Sequence, residues 1–86
     1  MLDSVVYFMT HEMGLIVARE DGSIVGHCRG DFSHDIAIET AHKLGRIMLR
    51  NVRLEEAHEV RFVRTKVRPT DTADRYSVTV QLLLQA

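Results

Sequence analysis

The run Leu15-Ile16-Val17-Ala18-Arg19-Glu20-Asp21-Gly22-Ser23-Ile24-Val25-Gly26-His27-Cys28 limits the fold more than any other segment. Two β-rich stretches flank an Asp-Gly pair. That pair suits a two-residue type I′ hairpin turn, in which both central residues need positive φ. A turn there sets Ala18 opposite Val25, Val17 opposite Gly26 and Ile16 opposite His27. Leu15, Val17, Ile24 and Cys28 then share one face of the hairpin. Ile16, Ala18, Val25 and His27 share the other.

The remaining elements follow from periodicity. Residues 4–9, Ser-Val-Val-Tyr-Phe-Met, are apolar on both alternating faces and read as a first strand, covered on both sides or lying at a subunit contact. His11 to Gly14 read as a loop. Gly30 ends the hairpin, Ser33 suits a helix N-cap, and Asp35 suits the first turn. The helix is expected over about 34–51, with Ala37, Ala41, Leu44, Met48 and Val52 as its buried stripe. Glu39 and Lys43 are spaced for an i,i+4 pair. Ile36 and Ile47 widen the stripe on one side, Ile38 and Leu49 on the other, to an arc of roughly 220°. One sheet covers less than that, so residues 52–58 or a second subunit are expected to cover the rest. In residues 59–68 the apolar parity changes, which predicts a β-bulge near Phe62-Val63 with both residues facing inward. Residues 69–74 form a loop. The last strand alternates cleanly, with Tyr76, Val78, Val80, Leu82 and Leu84 on one face and Leu83 among polar residues on the other. The expected fold is a single α+β domain over 1–86, a two-layer, mostly antiparallel sheet of order β-β-β-α-β-β with one helix on one face.

Composition narrows the class. At 86 residues folding buries only about 60–65% of the chain's surface, so the core is thin and a homodimer would add to it. Cys28 is the single cysteine, so no internal disulfide helps. A free thiol, an acidic start and no visible leader predict the cytoplasm. No apolar run suits a membrane span. Net charge is −1. Residues 1–43 carry seven acids and three bases; residues 44–86 carry eight bases and five acids.

The densest chemistry is Gly26-His27-Cys28-Arg29-Gly30-Asp31-Phe32-Ser33-His34-Asp35. Cys28, Asp31 and His34, with His27 or His11, are donor types for zinc, but their spacing matches no standard site. His27 and Cys28 also point to opposite faces of a strand. No metal or cofactor is expected. A nucleophilic Cys28 would need a base such as His34; the expected role is a small core residue, and no enzyme activity is predicted. Arg29-Gly30-Asp31 matches an adhesion tripeptide without a secretory context. Arg61, Arg64, Lys66 and Arg68 point outward from the fourth strand and suit phosphate contacts, although no aromatic is expected beside them to stack on bases. Val6, Phe8, Ile38, Leu49 and Leu83 are the apolar surplus and the expected oligomer contact.

The run from Leu15 to Gly45 is a strand, Asp-Gly turn, strand, short loop and helix. Over residues 4–50 this outline resembles small phage-borne inhibitors of the anti-CRISPR kind. It is similar also to the N-terminal domain of HicB-type antitoxins, the poorer match, since the aromatic and Pro-Gly-Cys features of that domain are missing here. The resemblance lies in element order and carries over no particular residue. It implies steric action: occupying a partner's nucleic-acid site or blocking a nuclease. The leading expectation is therefore a non-enzymatic protein-binding module, a phage- or plasmid-type inhibitor or accessory protein. A nucleic-acid-binding module using the Arg/Lys row is the alternative, and a small cysteine- or metal-dependent enzyme is third.

Overall fold

A computed structural model of the chain describes residues 2–55 and 60–85. Its elements are a helix α1 (Leu2–Tyr7) with a π-helical continuation (Phe8–Glu12), strands β1 (Leu15–Glu20) and β2 (Ser23–Phe32), helix α2 (His34–Glu55), and strands β3 (Val60–Pro69) and β4 (Tyr76–Leu84). The four strands form one antiparallel sheet of order β1-β2-β4-β3. The helices cover one face of it, giving the expected α+β two-layer architecture. The first element differs from expectation: residues 4–9 are helical. Val and aromatic residues favour strands, but Val5, Met9 and Met13 also recur at i, i+4 and i+8, the spacing of one helix face. Val5 and Met9 are buried, while Tyr7 between them is 61% exposed. The segment ends where the Met13 N–H donates to the Phe8 carbonyl oxygen at 3.1 Å, after which Gly14 takes a left-handed φ of +71°. A glycine just past the helix end adopts that conformation without a Cβ penalty.

The hairpin has the register expected from its turn, from Leu15 opposite Cys28 to Glu20 opposite Ser23. The turn itself is not type I′, because among its central residues only Gly22 has positive φ (+71°). Gly30, at φ +122°, sits within an irregularity of β2, and pairing resumes at Phe32 opposite Tyr76. Helix α2 carries the predicted stripe: Ala37, Ala41, Leu44, Met48 and Val52 are all buried. It lies across β3 and β4, while the N-terminal helical segment lies against β1 and touches α2. The two helical pieces together roof the sheet, which one helix of this width cannot do. Glu39 and Lys43 are both exposed and form no ion pair within 4 Å; two such flexible, solvated side chains gain little by meeting. Residues 56–59, part of the segment expected to cover the helix, lie outside the described residues.

Beneath the helices, Leu15, Ile24, Val60, Val78, Val80 and Leu82 complete the core. Cys28 and Val17 are partly buried against it. The bulge in β3 falls one residue earlier than expected. Val60 pairs with Leu84 and Phe62 with Leu83, so Arg61 is the extra residue. Skipping Arg61 keeps Val60 in the core and leaves Phe62 outward, where it is 46% exposed. The expectation that Phe62 faces inward is overturned for that reason.

Candidate functional site

Among the described residues, no helix lies over the outer face of the sheet. Its side chains can be read off the register, because directly paired residues share a face. One row across the sheet runs Ile16, His27, Thr79, Lys66. The next runs Ala18, Val25, Gln81, Arg64, and a third runs Glu20, Ser23, Leu83, Phe62. Beyond the first row, Arg68 pairs with Ser77. The face therefore has an aliphatic edge on β1, a polar centre and a basic edge on β3.

Three of the four predicted contact residues, Arg64, Lys66 and Arg68, alternate along β3 on this face, at steps of about 6.6 Å. Arg61 is exposed but occupies the bulge and has no opposite number in the ladder. Phe62 lies at the end of the basic row. The Arg64 guanidinium is 6.0 Å from its ring centre, within cation–π range, and also donates to Gln81 Oε1 at 3.2 Å. The expectation that no aromatic accompanies the cations thus fails, and the one-residue shift of the bulge is the reason. None of these three cations has a carboxylate within 4 Å among the described residues.

A depression of about 200 Å³ opens at the middle of the face, lined by Lys66, Arg68, His27, Thr79, Ser77 and Gln81, with Val25 and Glu20. Sequence reasoning did not single out His27 and Thr79 as partners of the basic row. Only the strand order, which puts β4 between β2 and β3, brings them together.

The five apolar contact candidates are dispersed. Val6 and Phe8 are partly buried against the core, Ile38 and Leu49 are exposed on α2, and Leu83 is on the opposite side of the molecule between Ser23 and Phe62. They do not form one surface. A second cavity, of about 230 Å³, separates the N-terminal helical segment from the C-terminal half of α2 and is lined by Val5, Tyr7, Phe8, Met48 and Val52 among others.

Among the described residues, the cysteine and histidines do not converge. Burial pushes the Cys28 thiol pKa upward, and the thiol donates to the carbonyl oxygen of its neighbour Arg29 at 3.8 Å. His27 lies on the other face, His11 stacks on Tyr7 with ring centres 4.2 Å apart, and His34 meets the edge of Tyr76 at 5.0 Å. Among the described residues, no group of three His, Cys, Asp or Glu side chains is placed to hold a metal ion. Also among them, no helix is long and apolar enough to cross a membrane. No known protein family, no curated protein and no solved structure matches this chain.

Proposed function

We propose that the chain is a non-enzymatic binding module that takes a nucleic acid on its open sheet face. The observation that carries this is the position of Phe62. It supplies a half-exposed ring on the same face as Arg64, Lys66 and Arg68. Cations with no carboxylate partner among the described residues attract a phosphate backbone and release its counterions. An exposed aromatic adds a platform for an unpaired base. Cations alone on a strand are equally well explained as protection of a sheet edge; the ring among them is what favours the nucleic acid.

A protein partner is the second reading, favoured by α2. Ile38 and Leu49 are eleven residues apart and so fall on one line of the helix, and both are about 40% exposed. Ile36, 49% exposed, lies on the other side of α2 and is not part of that line. In that reading the chain is a cytoplasmic inhibitor or accessory protein of phage or plasmid type, and it blocks its partner sterically or self-associates through α2. The sheet face has the wrong sign of charge to imitate a nucleic acid, so such an inhibitor would use its helical side.

Affinity capture with the tagged protein from its native lysate, with and without nuclease, separates the two. Nucleic acid recovered with the bait and lost on nuclease treatment supports the first reading. A stoichiometric protein that survives nuclease supports the second.

A further inference from the structure

We propose that the central depression of the sheet face is a seat for one phosphodiester of a single strand, built by Lys66, Thr79 and His27 with Arg68 at its rim. The proposal rests on the nucleic-acid reading and makes it specific. Thr79 is paired with His27 on one side and with Lys66 on the other. Neighbouring strands are about 4.8 Å apart, so these two nitrogen-bearing side chains flank the Thr79 hydroxyl across about 10 Å. Thr79 is nine-tenths buried, yet no hydrogen bond to its hydroxyl occurs among the described residues. A buried hydroxyl without a partner is uncommon, and it calls for water, an ion or a ligand. The Ser77 hydroxyl, by contrast, already donates to the Arg68 carbonyl oxygen at 3.4 Å.

Charge and size agree. Lys66 and Arg68 line the depression and have no carboxylate within 4 Å among the described residues. Glu20 also lines it, but lies opposite Ser23, four residues along β2 from His27, or about 13 Å by strand rise. A volume of about 200 Å³ holds a phosphate and several waters at ~30 Å³ each. Phe62 is four residues along β3 from Lys66, again about 13 Å. It is close enough for a base of the same strand to stack there, and stacking on an aromatic requires a base freed from its helix.

The test is a titration of the isotope-labelled protein with inorganic phosphate, followed by NMR, together with oligothymidylate binding by fluorescence anisotropy. The variants are Thr79→Val, which keeps the side-chain shape, and Lys66→Met. Phosphate is expected to shift resonances of His27, Lys66, Thr79 and Ser77 in the parent and not in Lys66→Met. Thr79→Val is expected to weaken oligothymidylate roughly tenfold, the loss of one hydrogen bond to a charged group. If Thr79→Val unfolds, Lys66→Met alone decides, and it should lower the salt slope by about one phosphate. Strand binding that both variants leave intact, or phosphate shifts spread equally over Arg46 and Arg50 of α2, overturns the seat while leaving the nucleic-acid reading standing. No oligothymidylate binding at any salt overturns both.

Discussion

The Arg64 guanidinium lies 6.0 Å from the centre of the Phe62 ring, on the open face of the sheet. Leu83, directly across the ladder, flanks the same ring. Phe62 keeps the parity of Arg64, Lys66 and Arg68, and the bulged residue Arg61 before it lets Val60 stay in the core. Phe62→Ala should therefore leave thermal stability within about 0.5 kcal/mol, as for other exposed sites. It should weaken single-strand binding by ~1–3 kcal/mol, the contribution of one stacked base. Thermal melts and anisotropy titrations on the same preparation check both halves.

The N-terminal helical segment packs tightly on the hairpin. A Cβ placed on Gly26 would lie 2.7 Å from Met9 Cε and 2.8 Å from Leu15 Cδ1. Gly26→Ala should destabilise by about 1–3 kcal/mol, the usual cost of overpacking. Met9→Ala, which empties a fully buried site, should cost about 2–5 kcal/mol. In the double variant the two costs should be less than additive, since the new methyl enters space that Met9 vacates. Urea denaturation of the four proteins measures the coupling.

Burial raises the Cys28 pKa, so the folded protein holds its proton more tightly than the unfolded chain does. Stability should therefore fall as pH rises above the ordinary thiol range of about 8.5 and continue to fall until the folded thiol ionises. The loss is small because Cys28 is only partly buried. Alkylation at neutral pH should be slower than for a free thiol, since the thiolate is the reactive form. Cys28→Ser should leave strand binding unchanged and abolish the alkaline decline, which denaturation at pH 7 and pH 10 will show.

Arg19 and Asp3 form an ion pair at 2.9 Å between β1 and α1, with both side chains largely exposed. Asp3→Asn should cost no more than about 1 kcal/mol. The difference from the parent should shrink as salt is added. Chemical denaturation at low and high ionic strength tests this.

Local signals were legible in the sequence where neighbours along the chain decide the outcome. The Asp21-Gly22 turn determined the hairpin register residue by residue. The apolar spacing of α2 identified its buried stripe, and the alternation of β4 identified both of its faces. Two elements went otherwise because two patterns overlapped. Val5, Val6, Tyr7 and Phe8 satisfy a strand by residue type while Val5 and Met9 satisfy a helix by spacing. The deciding factor is tertiary: β1 and β2 need a cover that α2, seated on β3 and β4, does not provide. In β3, Val60 and Val63 require a bulge between them, but its position is set by pairing with Leu83 and Leu84. The candidate site was half visible for the same reason. Arg64, Lys66 and Arg68 are a local alternation, whereas His27 and Thr79 join them only through the strand order.

The measurement that tests the central claim most directly is the salt dependence of oligothymidylate binding by the parent and by the Arg64→Glu, Lys66→Glu double variant. Affinity for the parent should fall linearly in log–log form with added salt, and the double variant should lose both affinity and about 1.4 of that slope, near 0.7 per phosphate contact on a single strand. A parent that binds no strand at low salt, or a double variant that binds as the parent does, would contradict the assignment of the sheet face to nucleic acid.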